Sequence, residues 1–542
     1  MLSENDSYVL SKFRDQNFDS RTDMLEKKIL TCYDSNSGGY NGELIYDLSS
    51  LGVASDWIDY SSAFITVPYV VSIKSITNTE ASPAIIDLTN SIDQFGVQIK
   101  DGFHHLIDSM SVEVNGRTVQ SIQNFSNMFY HMKYIMSASA EDILKNSATT
   151  GVFGESLSNL NYQAAADNLG VGYNIYTGTN VAGSAASRSA RAHSQMNVDP
   201  TATGLPWINS SEIINNSAQS YYYKAGATTA TVFTWVFYYR IQLKHISSFF
   251  ENLPLTKATD IKLIIKYNSF SANVGVTASD GNFSINSYTQ LSGHSCPVLI
   301  VPVLAAPATN AIFTITGNVL STGLGETTPP AMRQTRLYVP SYKIRPEVAS
   351  AMLTSFPQTK NQYLDIYSYS IPSVTAGGNI VWNITNGVTD PIFVMVIPFQ
   401  KNTALTALIK GSQYQSVFDT APGTTSGVYL KEFNVQVAGR NTFQLNENYA
   451  FDQFINEFSK LFALNGNNTL GITSGIINQV AWNKGYRCYV ADVSRREPSE
   501  DNVSKAITIT AQNAANVDIE LICFVAYKKQ IMMNTATGIM VE

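Results

Sequence analysis

Met110-Ser-Val112-Glu-Val114-Asn-Gly116-Arg117 is matched far downstream by Phe433-Asn-Val435-Gln-Val437-Ala-Gly439-Arg440, with four of the eight positions identical. Each copy reads as a period-two strand running into a Gly-Arg turn. The residues behind each turn agree as well. After the first copy, Phe125, Met128, Phe129, Met132, Ile135 and Met136 fall at i, i+3, i+4, i+7, i+10 and i+11. After the second, Phe451, Phe454, Ile455, Phe458, Leu461 and Phe462 repeat that spacing. Each set is one apolar stripe of an amphipathic helix. Two unrelated core helices would explain the stripes, but not their shared position behind the same strand and turn.

Working outward, Tyr239-Arg240-Ile-Gln-Leu243 answers Tyr486-Arg487-Cys-Tyr-Val490, each a strand followed by a proline, Pro254 and Pro498. Upstream, Phe64-Ile-Thr-Val67-Pro68 answers Leu337-Tyr-Val339-Pro340. Further period-two stretches bounded by Gly, Pro, Asn and Asp include 109–119, 261–267, 363–371, 392–399, 433–443 and 517–527. Such a repeat implies two copies of one unit. About eight strands per unit suits a jelly roll. The expected fold is therefore all-β, a double jelly roll of two eight-stranded sandwiches in tandem, each with an inserted helix. The expected division is an N-terminal arm over 1–45, a first jelly roll over 46–325, a linker over 326–330 and a second jelly roll over 331–542. Gly- and Ser-rich surface insertions fall at about 137–230 and 269–292, both in the first unit.

Composition supports β structure. Charged residues are 14%, well below the roughly 25% of average soluble domains, while 29 Tyr and 26 Phe raise the aromatic share to 11%. A disordered chain would need the opposite balance. The net charge of -7 argues against a nucleic-acid binder acting through its overall field. Lys12, Arg14, Arg21, Lys27 and Lys28 would make a local basic patch, but read sooner as a solvated arm. Cys32, Cys296, Cys488 and Cys523 lie far apart, which fits neither a disulfide framework nor a zinc site. No signal peptide is legible at Met1-Leu2-Ser3, and no apolar run approaches the roughly 20 residues of a membrane span. The chain is expected to be soluble and made inside the cell.

Catalytic chemistry is not legible. The sequence holds no Gly-x-Ser-x-Gly elbow, no His-Glu-x-x-His and no Walker A motif. None of its six histidines lies beyond His294, so the second unit has no imidazole for acid–base work. His104 and His105 read as neighbours on a strand, aimed at opposite faces. No catalytic, cofactor or metal residue is assigned and no cofactor is expected. The residues singled out are structural: Arg117 and Arg440, which follow glycines at equivalent turns, and Phe129 and Phe458 on the two helices. The arginines either fix the helix that comes next or are ordinary exposed turn residues.

The second unit resembles the double jelly-roll major capsid proteins of polinton-like viruses and of their virophage and adintovirus relatives. The resemblance lies in Arg336-Leu-Tyr-Val-Pro340-Ser-Tyr342, Phe418-Asp-Thr-Ala-Pro422 and Phe433–Val437 leading into the Phe451 helix. It continues in Tyr486-Arg-Cys-Tyr-Val-Ala-Asp492-Val-Ser-Arg495-Arg496 and Pro498-Ser-Glu-Asp-Asn502. In the first unit, His245-Ile-Ser-Ser-Phe249-Phe250-Glu-Asn-Leu253-Pro254-Leu255 is similar to the family's equivalent segment. It spans most of 55–530 and is weakest over 137–230. It implies a non-enzymatic homotrimer, a pseudo-hexagonal capsomer that tiles the icosahedral shell of a double-stranded DNA virus. Implied partners are neighbouring capsomers, penton and other minor capsid proteins, with no sequence-specific nucleic acid and no stable membrane insertion. The implied location is the virion, assembled inside the infected host cell. The long loops would cover the capsomer top and the arm would lie at the shell base. The rival is a trimeric viral spike or receptor-binding β-sandwich protein, which fits a duplicated strand–helix unit less well. A β-sandwich glycosidase comes third, and no residue pair asks for it.

Overall fold

The computed structural model describes residues 24–35, 43–52, 56–76, 95–100, 102–122, 125–152, 220–225, 232–257, 259–276, 283–290, 295–302, 311–319, 335–401, 413–415, 417, 428–446, 448–461, 472–494 and 503–541. Sixteen strands carry the architecture. The first eight are β1 (Met24–Tyr33), β2 (Glu43–Asp47), β3 (Phe64–Ile76), β4 (Ile107–Val114), β5 (Arg117–Ile122), β6 (Val232–Gln242), β7 (Ile261–Tyr267) and β8 (Arg336–Ile344). The second eight are β9 (Gln358–Val374), β10 (Asn379–Val388), β11 (Pro391–Gln400), β12 (Leu430–Val437), β13 (Arg440–Asn441), β14 (Tyr489–Asp492), β15 (Lys505–Asn513) and β16 (Ile519–Asn534).

Their pairing is the same in both sets. One sheet runs β1-β8-β3-β6 in the first set and β9-β16-β11-β14 in the second. The facing sheet runs β2-β7-β4-β5 and then β10-β15-β12-β13. All of these pairs are antiparallel. Lettered A to H within each set, the sheets are A-H-C-F and B-G-D-E, which is two Greek keys folded into a jelly roll. The chain is a double jelly roll.

Alternation decides which face each strand buries. In β7, Ile261, Leu263, Ile265 and Tyr267 are buried and Lys262, Ile264 and Lys266 between them only partly so. In β15, Ile507, Ile509 and Ala511 point inward in the same rhythm. Across the first core they meet Ile65, Val67, Val112, Leu337 and Val339; across the second, Val394, Val396, Phe433, Val435 and Tyr489. Each fully buried aliphatic side chain contributes about 1.5–3 kcal/mol. The two strand–helix repeats also close alike. Residues 109–119 and 433–443, expected as single strands, are hairpins turned at Asn115-Gly116 and Ala438-Gly439, all four with positive φ. The helices come next as α1 (Ser126–Ser137) and α3 (Phe451–Ser459), with α2 (Pro346–Ser355) standing between the two jelly rolls.

Several expectations change. Residues 24–33 and 43–47, expected in an arm ending at 45, form β1 and β2, because Leu44 and Tyr46 bury in the first core and Leu30 and Cys32 lean on it. Strand 336–344, expected to open the second unit at 331, closes the first: Leu337 and Val339 bury there, and β8 lies between β1 and β3. Phe64–Pro68 and Leu337–Pro340 are therefore not equivalents; they are antiparallel neighbours, Ile65 opposite Leu337. Residues 269–292, expected as a surface insertion, contain the paired strands Phe270–Val276 and Phe283–Gln290, which join the first sheet through Ala311–Val319 alongside β3. His104 and His105 sit on the 3-10 turn Phe103–Leu106, because Gly102 at φ 126 breaks the extended run. The linker 326–330 and most of 137–230 lie outside the described residues.

Candidate functional site

Among the described residues, the joint between the jelly rolls is the most elaborated site. Its centre is α1. One stripe of that helix, Met128, Phe129, Met132, Ile135 and Met136, is the one its sequence spacing announces. The other side is buried too: every residue from Ser126 to Met136, including Tyr130, His131, Lys133 and Tyr134, is covered. The two sides meet different units: Tyr130, His131, Lys133 and Tyr134 pack on Ser248, His105, Glu251 and Phe103 of the first jelly roll, while the stripe carries Phe129 to the second. The Phe129 ring lies against Phe393 of β11 (6.1 Å, stacked) and Phe524 of β16 (5.5 Å), so α1 is pressed between its own jelly roll and the next one.

The end of α1 is also completed from across the joint. The last carbonyls of a helix have no partner within it. Here Ser474 Oγ donates to the Ile135 carbonyl, Thr473 Oγ1 to that of Met136 (3.4 Å), and Gly475 N to that of Ala138 (2.9 Å). Gly475 passes so close to Ala140 that a Cβ would meet its backbone at 2.3 Å. A neighbouring set of contacts ties β5 to β9. Tyr363 Oη and Lys529 Nζ both donate to the Val119 carbonyl (2.8 and 2.7 Å), and Gln120 Nε2 donates to Leu364 (3.3 Å). Asn361 Nδ2 donates to Phe249 (2.9 Å), and Asp365 accepts from Tyr527 (2.8 Å) and Lys529 (3.5 Å). These groups are largely withdrawn from water, where leaving one unmade costs about 1–3 kcal/mol.

Beside α1, four of the six histidines gather. His105 stands 4.6 Å and His104 5.5 Å from His131, ring to ring, and Tyr134 lies 4.9 Å from His245. Burial, followed by the neighbouring His131, holds His104 and His105 well below the ordinary histidine range, so both are neutral at physiological pH. Among the described residues no group of three or more His, Cys, Asp or Glu is placed to hold a metal. The four cysteines are free; Cys296, Cys488 and Cys523 are buried, and burial pushes the Cys296 thiol up to about 11. Such thiols stay protonated and inert.

The residues singled out from sequence do not fall together. Phe129 is at the joint. Phe458 is buried on α3, stacked on Phe454 at 5.3 Å, within the second jelly roll. Arg117 and Arg440 open β5 and β13, exposed, each in backbone register with the residue before its turn, Val114 and Val437. Sequence reading missed Gln120, Tyr363, Lys529 and the 473–475 segment. Gln120 reads in sequence as an ordinary polar residue after Val119, its burial appearing only in the structure, and nothing in Thr473-Ser474-Gly475 announces a helix cap.

No family model matches the chain, and no curated protein does. The solved structures it resembles are viral major capsid proteins. The Faustovirus major capsid protein is 9% identical over 95% of this chain and 92% of its own, with a TM-score of 0.42. PBCV-1 VP54, fitted into a reconstruction of the virophage Sputnik, is 10% identical over 96% and 98%, TM-score 0.39. The STIV MCP is 10% identical over 93% and 96%, TM-score 0.29. The fold assignment rests on the strand orders A-H-C-F and B-G-D-E, present twice. No helix among the described residues is long and apolar enough to cross a membrane.

Proposed function

We propose that this chain is a major capsid protein. In this reading three copies form a pseudo-hexagonal capsomer, and capsomers tile the icosahedral shell of a double-stranded DNA virus. One observation carries it: two jelly rolls with the same strand order are joined head to tail through an extensive buried joint. Six similar units around a three-fold axis need this duplication, because a head-to-tail contact closes into a ring when its rotation allows. The low charge and abundant aromatics suit broad interfaces. Penton and minor capsid proteins are the further partners, and the virion is the location. The functional division is 24–344 for the first jelly roll and 358–541 for the second. Phe129 and Phe458 act as helix anchors, and Arg117 and Arg440 hold the turns before those helices.

Negative-stain electron microscopy and light scattering of the purified full chain test this reading. A three-chain mass and a stubby hexagonal outline are expected. An elongated three-fold rod would point to a spike, and a stable one-chain particle would overturn self-assembly.

A further inference from the structure

The two jelly rolls differ at one equivalent corner, where the hairpin between the fourth and fifth strands meets the approach to the seventh. In the first, Asn115 N donates to the Asp260 carbonyl (2.9 Å); in the second, Ala438 N donates to the Ala506 carbonyl (2.8 Å). That shared bond fixes the correspondence. Asn115 answers Ala438, Arg117 answers Arg440, and Thr259, one residue before Asp260, answers Lys505.

In the first jelly roll the corner holds a peptide turn. Behind β16 the chain folds back, Gly538 N donating to the Asn534 carbonyl (2.8 Å) and Met540 pairing with Met533. The tip of this turn enters the corner. Asn115 Nδ2 donates to the Gly538 carbonyl at 2.9 Å, and a Cβ on Gly538 would meet the Thr259 backbone at 2.6 Å. Asn115 and Thr259 are thus the two residues that receive the turn.

In the second jelly roll their counterparts, Ala438 and Lys505, both line a cavity of about 220 Å3. That is smaller than the roughly 300–1,000 Å3 of pockets for drug-sized ligands and suits the tip of a peptide turn. The chemistry of the corner has changed with the residues. Ala438 has no amide to offer a backbone carbonyl, and Lys505, buried, brings a cation where Thr259 brings a hydroxyl. Arg440 adds a second cation, and Asn441 and Thr442 supply neutral polar groups. The one carboxylate in the lining is Asp492, whose Oδ1 already accepts from Ser494 N (2.9 Å) and Oγ (2.6 Å). A neutral turn would lose its hydrogen bond here, whereas a carboxylate would gain charge-assisted ones.

We propose that this cavity is a socket for an acidic peptide turn of a separate polypeptide, with a carboxylate side chain placed between Arg440 and Lys505. The chain's own tail is committed to the first corner, so the second takes its turn from elsewhere. The socket lies within one jelly roll of one chain, and the inference stands apart from the ring reading.

Fluorescence polarisation with the purified full chain tests it. The probe is the labelled peptide Asn-Thr-Ala-Thr-Gly-Ile-Met, the sequence of 534–540, carrying Gly538→Asp or Gly538→Asn, two versions of one shape that differ in charge. The Asp peptide is expected to bind about tenfold tighter than the Asn peptide. That preference should be lost in Lys505→Thr, which installs the first jelly roll's residue, and in Arg440→Ala, and should persist in Arg117→Ala. Circular dichroism melting confirms folding, and the exposed Arg440 carries the test if the buried Lys505 variant does not fold. Equal binding of the two peptides, or binding of neither, would overturn the proposal. So would a preference that survives in folded Arg440→Ala or disappears in Arg117→Ala. Inorganic phosphate that displaces the Asp peptide at a concentration below the peptide's own would overturn it in favour of a small-anion site. None of these outcomes moves the three-chain mass on which the ring reading is judged.

Discussion

Ala438 and Asn115 occupy the same place in two equivalent hairpins, and the same backbone suits only one of them. Both have φ near 50°, followed by a glycine with φ in the seventies. That is the two-residue turn whose first position favours Asn, because a short polar side chain tolerates the left-handed region and an ordinary Cβ does not. Asn115 fits and uses its amide besides, donating to the Gly538 carbonyl at 2.9 Å. Ala438 holds the same conformation against its preference. Ala438→Asn is therefore expected to raise stability by about 0.5–1 kcal/mol, and Gly439→Ala to lower it by a similar amount. Urea unfolding of the two variants beside wild type measures both.

Among elements, α1 carries the most. Phe129→Ala would remove the ring shared with Phe393 and Phe524, and large-to-small changes of this kind cost roughly 3–5 kcal/mol. The effect should fall on the joint, so differential scanning calorimetry is expected to resolve two transitions where wild type shows one. Half of this helix is legible in the sequence. The stripe from Phe125 to Met136 marks its existence and inward face, since a 3.6-residue period needs only the chain itself. The burial of Tyr130, Lys133 and Tyr134 is not legible, because it depends on Ser248, Glu251 and His245, more than a hundred residues on in sequence. β1 is hidden for a related reason. Met24-Leu-Glu-Lys-Lys-Ile-Leu-Thr-Cys-Tyr33 is an edge strand with one buried flank, and its mixed polarity resembles an arm until β8 is placed beside it. The false match of Phe64–Pro68 with Leu337–Pro340 arises because strands of one core share apolar alternation whatever their position in the sheet.

For the whole molecule, the histidine cluster makes stability depend on pH. His104 and His105 are held neutral in the fold, whereas in the unfolded chain they protonate near pH 6.5. The unfolded state then binds more protons, so stability is full above that range and falls as the pH drops through it. Each of the two histidines adds a slope of about 1.4 kcal/mol per pH unit below it. Melting temperature is expected to fall steadily between pH 7 and pH 5, and a flat profile across that window would contradict the buried neutral state. Lys100 adds a positive charge beside His105 and deepens the penalty.

The position of β8 also sets the order in which the protein can be made. β1 leaves the ribosome first, yet its sheet partner is Arg336–Ile344, so the first jelly roll stays unclosed while everything between is synthesised. At about 5–20 residues per second, that wait is roughly fifteen seconds to a minute. During it β1 presents an unpaired edge with Leu25, Ile29 and Tyr33 exposed, the kind of strand on which nascent chains aggregate. The second jelly roll waits about half as long, since β9 (Gln358–Val374) pairs with β16 (Ile519–Asn534) across a shorter stretch of chain. The half synthesised first is thus the half most exposed to misfolding, and chaperone demand during translation should centre on its N-terminal strand.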